Sequence, residues 1–218
     1  MTNIQGIESL AKIIVGLEKK KELRGKIKKR IQEFIEVHNS DTFRWYEELV
    51  FCLLTAYSSA LTGLKCVENL QDENALLEGD IQKIEDCIVK EGHRFSRQRA
   101  EYIYNTRPLA QSLKKTITNF QDPLKARMWL KNNVKGIGMK EASHFLRNVG
   151  YFDLAIIDRH ILSNLKEHDL IENGKMSLTP KRYVQLETIL KKIAKKVNMP
   201  VGEMDLYLWY RKTGAVLK

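Results

Sequence analysis

The sequence predicts an all-α fold. Apolar residues recur at helical spacing along most of the chain, as in residues 4–37, where they alternate with basic residues. No segment shows the sustained apolar–polar alternation that is typical of a half-buried strand, and the sequence has no internal repeat or low-complexity tract. Residues that favour helix starts stand at suitable places, among them Pro123, Pro200 and Asp158.

The helices can be assigned along the chain. We expect two helices in residues 4–37, broken near Gly25, because glycine weakens a helix interior. Asp41 or Ser40 suits the cap of the next helix, whose run from Phe51 to Ala56 indicates burial. The later helices are expected at 61–70, in 73–91, in 95–118 with an interruption at Pro108, at 123–130, 139–146, 159–165 and 181–197, and from Pro200 onwards.

Composition limits the function classes. The chain has 218 residues, 43% of them hydrophobic, and no apolar run approaches the roughly 18 residues of a membrane span. Its N-terminus lacks the basic-then-apolar order of a secretory signal, so we expect a cytoplasmic protein. The net charge of +10 favours an anionic partner, usually nucleic acid, although a solvated lysine-rich surface is the alternative.

The three cysteines, Cys52, Cys66 and Cys87, show no CxxC spacing. In a cytoplasmic protein such cysteines are typically reduced thiols of the core. We therefore expect neither a zinc site nor a disulfide framework.

The most informative stretch is residues 130–165. Gly136 and Gly138 suit a tight turn in which the backbone takes positive φ or closely approaches another group. A helix from Met139 would direct its first amides towards this turn, where an anion such as phosphate could bind. Lys140 lies in the first turn of that helix, where the helix dipole disfavours a cation. After an apolar run, Asp158 is expected to cap the next helix.

The turn glycines, Lys140 and Asp158 at this spacing resemble the helix-hairpin-helix DNA glycosylase superfamily. The segments KGIGMKEASHFLRN and FDLAIIDRH are most similar to the short prokaryotic branch of the 8-oxoguanine DNA glycosylases. The resemblance extends at lower strength from about Trp45 to the C-terminus.

This resemblance implies an all-α fold of two helical subdomains with an active-site cleft between them. The terminal subdomain would comprise residues 1–44 and 153–218. The central bundle would comprise residues 45–152 and contain the helix-hairpin-helix at 130–150.

The resemblance also implies a bifunctional DNA glycosylase and AP lyase acting on double-stranded DNA with oxidised guanine. Lys140 would be the nucleophile, forming a Schiff base, and Asp158 would stabilise the developing positive charge. The alternatives are a phosphate-binding or surface lysine and a simple N-cap. We expect a monomer that requires no cofactor. It cannot build the four-cysteine iron–sulfur loop of some relatives, because no cysteine follows Cys87.

Several DNA-binding residues follow from the same resemblance. The backbone at Gly136 and Gly138 would hold a phosphate 3′ of the lesion. Carbonyl groups of the hairpin would bind a monovalent cation, unless the hairpin is a packing motif without one. By position these carbonyls belong to Asn132, Val134 and Ile137.

Two further side chains are expected to contact DNA. A base must leave the duplex before chemistry at its sugar, and a wedge side chain usually fills the gap. Tyr57 stands at the family's wedge position, where close relatives carry an amide, and a core aromatic is the alternative. His160 matches a phosphate-contacting position but could equally be a surface histidine.

The resemblance places most of the base-recognition residues near the chain end. Trp209 would stack on one face of the flipped base, and His144 would line the other. A carboxylate such as Asp205 suits the N1–H and N2–H₂ donors of a guanine-type base. N7 of 8-oxoguanine carries a hydrogen, so we expect the C-terminal segment, up to the carboxylate of Lys218, to supply or support an acceptor. The alternatives are that Trp209 is a core residue, that Asp205 is a solvated charge and that the C-terminal segment is a frayed tail.

Two other functions stay open from the sequence. One is a glycosylase of the same superfamily for another oxidised base, which the pairing of Asp205 with Trp209 disfavours. The other is a non-catalytic DNA-binding module, which Lys140 and Asp158 disfavour.

Overall fold

The computed structural model describes residues 3–172, 174 and 177–218, and these residues form helices and connecting loops without a strand. The predicted all-α class is therefore confirmed. No helix in these ranges combines the length and apolar character needed to cross a membrane. The chain divides into a terminal unit, up to Ile35 and from Gly150 onwards, and a central unit, Glu36–Val149.

The helices of the described ranges are numbered α1 to α12 in chain order, and a short 3₁₀ turn at Arg107–Gln111 precedes α7. Their bounds are Ile4–Glu18, Lys21–Asn39, Thr42–Thr55, Ala60–Asp72, Ile81–Val89, Ser96–Thr106, Leu113–Thr118, Pro123–Asn133, Met139–Asn148, Arg159–Glu167, Pro180–Val197 and Val201–Thr213.

The terminal unit is built on α1, which packs against α11 and α12, while α10 packs against α12. Asn3 caps α1 by accepting the Gly6 amide at 3.1 Å. A Cβ atom at Gly6 would lie 2.2 Å from the His168 carbonyl oxygen. Glycine is therefore required where α1 meets the loop after α10.

The central unit is organised around α3, which packs against α4, α6, α7 and α9. Every residue of α3 from Trp45 to Thr55 is buried. The buried Glu48 carboxylate accepts hydrogen bonds from Arg44 at 2.8 Å and from the Asn148 amide at 3.0 Å. A buried carboxylate requires such partners, because an unpaired charge in the interior is strongly destabilising.

The units divide after Ile35 and Val149, whereas the divisions predicted from the sequence fall after residues 44 and 152. Hydrogen bonds attach residues 36–44 to the central unit. Trp45 Nε1 donates to the Val37 carbonyl at 2.9 Å, and His38 Nδ1 lies 2.8 Å from the Val149 carbonyl oxygen. The His38–Val149 contact joins residues 111 positions apart, which no local sequence pattern could indicate.

The helix break predicted near Gly25 is wrong. Helix α1 ends at Glu18 and α2 begins at Lys21, so Gly25 lies inside α2. One glycine costs a helix only about 1 kcal/mol relative to alanine, which packing of the remaining residues can offset.

The expectation that the cysteines are reduced residues of the core is confirmed. Cys52, Cys66 and Cys87 are free and buried. Burial raises the pKa of the Cys66 thiol to about 12, so this thiol stays protonated at neutral pH. A protonated, buried thiol is typical of a core residue rather than a reactive one.

Candidate active site

The hairpin turn lies between α8 and α9 in the central unit. Val134 ends α8 by donating its amide to the Leu130 carbonyl at 2.9 Å, and Ile137 donates to the Val134 carbonyl at 3.1 Å. Gly136 has φ +92°, and a Cβ atom there would lie 2.3 Å from Cδ2 of Tyr102. Gly136 therefore satisfies both sequence criteria for a turn glycine.

Gly138 has a different role, because its φ of −94° is accessible to any residue. It is the N-cap of α9, and its amide donates to Glu141 Oε2 at 3.3 Å. Glycine has no side chain with which to cap the first amides of the helix. These amides therefore face the turn without a side-chain acceptor from the N-cap, which suits an anion.

Lys140 projects from the first turn of α9 and is 27% exposed. Its Nζ lies 3.8 Å from Glu141 Oε1, so one glutamate contacts both the N-cap amide and the lysine. His144, one turn further along, is only 6% exposed, and its ring meets Phe51 edge-on at 5.6 Å.

The hairpin carbonyls named from the sequence lie at the end of α8 and in the turn. Asn132 belongs to the last turn of α8, where carbonyl groups have no intrahelical amide partner. The Val134 carbonyl accepts one hydrogen bond, from Ile137, and a carbonyl oxygen has two lone pairs. These oxygens fit the needs of a monovalent cation, whose presence stays a prediction.

Tyr57 lies at an exposed tip of the central unit. Helix α3 ends at Thr55, and Tyr57 has φ +62°, which is uncommon for an aromatic residue. Its side chain is 85% exposed and meets the ring of Phe95 edge-on at 5.7 Å. This exposure excludes the core-aromatic alternative and leaves the ring available to a partner.

Asp158 begins α10 in the terminal unit, and its prediction as an N-cap is confirmed. Its Oδ1 accepts the amides of His160 and Ile161, each at 2.8 Å. Among the described residues, Oδ2 of Asp158 accepts no hydrogen bond. Capping thus occupies one carboxylate oxygen and leaves the other for a second role.

Side chains of α11 fix the apolar run that leads to Asp158. The Tyr183 hydroxyl donates to the Ala155 carbonyl at 2.8 Å and accepts the Ile157 amide at 3.1 Å. Glu187 accepts the Ala155 amide at 2.9 Å. The run is therefore held by α11 even though it pairs with no strand in the described chain.

The terminal unit also brings His160 and Trp209 together, with ring centroids 6.1 Å apart and planes at 75°. Asp205 lies one helical turn before Trp209 and is 7% exposed. Buried Asn164 connects the two helices, donating to the carbonyls of His160 at 2.8 Å and Leu208 at 3.3 Å. Asn164 thereby fixes the relative position of α10 and α12.

The segment after α12 borders a cavity of about 330 Å³ in the terminal unit. Side chains of α2, three basic and one acidic, also line the cavity, and the partly exposed Lys218 ends the segment. The cavity is lined by Lys26, Lys29, Arg30, Glu33, Tyr210, Gly214, Ala215 and Val216.

A family model for 8-oxoguanine DNA glycosylase matches residues 27–199. The chain belongs to the 8-oxoguanine DNA glycosylase family. Two curated 8-oxoguanine DNA glycosylase/AP lyases agree with this assignment. The protein of Methanocaldococcus jannaschii is 44% identical, with 92% of this chain and 95% of that protein aligned. The protein of Korarchaeum cryptofilum is 42% identical, with 98% and 100% aligned.

Solved structures of family members have the same fold. The M. jannaschii 8-oxoguanine glycosylase/lyase, in complex with a 15mer DNA containing 8-oxoguanine, matches with a TM-score of 0.91 and 42% identity, covering 96% of this chain and 100% of that one. The 8-oxoguanine DNA glycosylase of Thermotoga maritima matches with a TM-score of 0.89 and 36% identity, covering 97% and 100%. The predicted helix-hairpin-helix glycosylase resemblance is confirmed.

Sequence reasoning missed several polar residues that hold the helix ends and the turn of this site. The spacing of Gly138 and Glu141 is that of a capping box and could have identified Glu141. His93 and Arg99 bind the Leu54 and Ala56 carbonyls, and Asn164 binds the Leu208 carbonyl, so contacts distant in sequence define all three and no local signal marks them.

Proposed function

We propose that this chain excises 8-oxoguanine from double-stranded DNA and cleaves the strand at the resulting abasic site, with Lys140 as nucleophile. The observation that carries the proposal is a glycine hairpin leading directly into a partly exposed lysine, in a member of the 8-oxoguanine DNA glycosylase family. The relatives named 8-oxoguanine DNA glycosylase/AP lyase, one of them solved with lesion DNA, support both activities.

The proposed chemistry begins when the neutral amine of Lys140 attacks C1′ of the damaged nucleoside. The new N–C1′ bond forms as the bond from C1′ to the base breaks, and the base departs with the electron pair. Opening of the sugar then gives a Schiff base with Lys140. This imine acidifies the 2′ position, so loss of a 2′ proton expels the 3′ phosphate by β-elimination.

Asp158 is proposed to stabilise the positive charge that develops on the sugar and to assist deprotonation of Lys140. Its two roles are compatible because the amides of His160 and Ile161 share Oδ1. Oδ2 would then be the oxygen available for catalysis, and its negative charge would stabilise the oxocarbenium-like charge of the transition state.

DNA binding is proposed to use residues of both units. The hairpin amides at Gly136 and Gly138 would hold a phosphate, and His160 would contact another. The exposed ring of Tyr57 would fill the gap left by the flipped base, because an aromatic ring can stack there. A monovalent cation would be held by the carbonyls of Asn132, Val134 and Ile137 and would supply positive charge beside the phosphate. The net charge of +10 supports a polyanionic partner.

Base recognition is proposed to combine stacking with edge readout. Trp209 would stack on the flipped base, with His144 lining the opposite face. The Asp205 carboxylate would accept the N1–H and N2–H₂ donors. The segment ending at Lys218 would accept the N7–H that distinguishes 8-oxoguanine from guanine. We further propose a cytoplasmic, nucleoid-associated monomer that requires no cofactor.

Borohydride trapping tests the proposed function. The protein is incubated with duplexes containing 8-oxoguanine, an oxidised pyrimidine or only normal bases, and adducts are resolved by denaturing electrophoresis. A covalent adduct with the 8-oxoguanine duplex alone is expected. An adduct that favours the oxidised pyrimidine would establish the alternative lesion. Binding without an adduct would indicate a non-catalytic module.

The proposed acceptor in the C-terminal segment has its own test. A few residues are appended after Lys218, and excision of 8-oxoguanine is compared with cleavage of a pre-formed abasic site. Excision should fall while abasic-site cleavage persists. Two unchanged activities would remove this segment from recognition.

A further inference from the structure

The turn after α3, residues 56–58, is called the Tyr57 turn. Its central residue has a backbone conformation that tyrosine rarely adopts. Tyr57 has φ +62°, and non-glycine residues persist in this region only where their surroundings dictate it. The ring is 85% exposed, so packing of Tyr57 itself provides little of this constraint. The constraint must come from the backbone on either side.

Two basic side chains hold that backbone at the C-terminal end of α3. His93 Nε2 lies 2.8 Å from the Leu54 carbonyl oxygen, and Arg99 Nη2 donates to the Ala56 carbonyl at 3.3 Å. Carbonyls at a helix C-terminus lack intrahelical partners and carry partial negative charge. Donors from His93 and Arg99 therefore satisfy both the hydrogen-bonding and the electrostatic requirement.

The geometry defines the protonation of His93. A carbonyl can only accept, so Nε2 carries the hydrogen, while Nδ1 accepts the Phe95 amide at 3.3 Å. Burial lowers the pKa of His93, which favours this neutral form. The histidine is thus a fixed two-point link between the end of α3 and residues 93–95.

Arg99 also connects the turn to the hairpin. Its guanidinium lies 5.5 Å from the ring centroid of Tyr102. That ring lies so close to Gly136 that a Cβ atom there would be 2.3 Å from Cδ2 of Tyr102. A series of contacts therefore connects the Ala56 carbonyl, through Arg99 and Tyr102, to the hairpin that precedes α9. Every residue in this series belongs to the central unit.

We propose that Arg99 and Tyr102 are positioning residues that hold the Tyr57 turn and the 134–138 hairpin at a fixed separation. This inference rests on the proposed function, in which Tyr57 enters the duplex and the hairpin holds a phosphate. Both contacts must then fit one DNA backbone simultaneously. A small displacement of one relative to the other would misplace the sugar relative to Lys140.

The side chain of Arg99 is replaced by an apolar one of similar length in Arg99→Met. Single-turnover excision of 8-oxoguanine from a duplex is expected to fall about 10–100-fold, since misplacements of about 1 Å have effects of this size. Cleavage of a pre-formed abasic site in a single strand, where no base needs displacing, should change far less. Arg97→Met is the matched control, because exposed Arg97 lies on the same helix and pairs with Glu85 and Glu101.

The ring contact is tested by Tyr102→Leu, with Tyr104→Leu as control. Tyr104 lies on the same helix and is 42% exposed. We expect Tyr102→Leu to reproduce the selective loss of duplex excision. Fluorescence of 2-aminopurine placed beside the lesion should report slower base displacement in Tyr102→Leu and not in Tyr104→Leu.

A double-mutant cycle separates positioning from general stability. If Arg99 acts through Tyr57, adding Arg99→Met to Tyr57→Ala should reduce duplex excision little beyond Tyr57→Ala alone. Additive losses, or equal losses on duplex and on single-stranded abasic substrates, would overturn the proposal. If Arg99→Met unfolds at the assay temperature, Tyr102→Leu replaces it in the cycle.

The activity of the wild-type protein distinguishes failure of the proposed function from failure of the positioning role. A wild-type protein that excises no 8-oxoguanine removes the proposed function, whatever the variants do. An active wild-type protein whose Arg99→Met and Tyr102→Leu variants both excise normally leaves the function in place and refutes only the positioning role.

Discussion

The starts of helices α9 and α10 each carry a residue proposed to take part in catalysis, Lys140 in the first turn of α9 and Asp158 at the N-cap of α10, but the two N-caps differ. The N-cap of α9 is Gly138, which has no side chain and therefore places no acceptor over the first amides. The N-cap of α10 is Asp158, whose carboxylate accepts hydrogen bonds from two amides at 2.8 Å. One helix start is open to an external anion, and the other is closed by its own anion.

The difference separates two tasks that a helix N-terminus can perform. An open start can bind a phosphate, and the positive end of the helix disfavours an ammonium group nearby. A closed start orients a carboxylate, since two amides fix one oxygen and leave the other exposed to its surroundings. The hairpin therefore fits DNA binding and nucleophile placement, and the Asp158 cap fits charge stabilisation.

Removing the amine from the open start should have the largest effect. Lys140→Gln is expected to abolish borohydride trapping while duplex affinity and melting temperature remain close to wild type, because the hairpin is intact. Borohydride trapping on an 8-oxoguanine duplex measures this, and Lys125→Gln, at an exposed position of α8, is the matched control. A Lys140→Gln adduct at wild-type yield would assign the nucleophile to another residue.

Removing the negative charge of Asp158, the N-cap of α10, should have the next largest effect. Asp158→Asn keeps a good capping residue but removes the charge, so we expect excision to fall about 10²–10⁴-fold with little change in stability. Asp122→Asn is the matched control, because Asp122 caps α8 in the same way, by accepting the Leu124 amide at 2.8 Å. Unchanged excision with reduced stability would make Asp158 a cap alone.

Converting the open start into a closed one tests the comparison directly. Gly138→Asp should stabilise the fold by only a few tenths of a kcal/mol through capping, because glycine is already an acceptable N-cap. The same carboxylate would occupy the amides and repel phosphate, so duplex affinity should fall roughly tenfold or more. Gly138→Ala adds no charge, and its Cβ would meet only the Glu141 side chain at 3.1 Å. Equal affinities for the Asp and Ala variants would argue against a phosphate at this helix start.

The smallest effect is expected for a substitution of Gly136, in the turn that precedes α9. Gly136→Ala places a side chain at φ +92° and 2.3 Å from the Tyr102 ring, so we expect a loss of about 1–3 kcal/mol in the free energy of unfolding. Urea denaturation measures this, with Gly25→Ala as a control at an unobstructed helical site. A Gly136→Ala variant of wild-type stability would mean that the turn can rearrange.

The parts of this site that the sequence predicts are those set by neighbouring residues. Asp158 was identifiable as a cap because the apolar run before it and the helical spacing after it are local features. Gly136 and Lys140 were identifiable for the same reason, and the family resemblance extended them to a function that the relatives support.

The parts that the sequence could not predict depend on tertiary contacts. The position of the first helix break was wrong because packing tolerates Gly25 within α2. Tyr57 could be core or surface until the end of α3 was located, and the structure gives it 85% exposure. Arg99 and Asn164 bind carbonyls distant in sequence, for which residue type alone gives no indication.

The hydrogen bonds from α11 to the run before Asp158 have a dynamic consequence. The Ala155 and Ile157 amides belong to no helix, yet they donate to Glu187 and to Tyr183. Their exchange with deuterated solvent therefore requires α11 to separate from the run, and the two amides should exchange together with those of α11 rather than at the rate of a loop. The placement of Asp158 is then as long-lived as the docking of that helix.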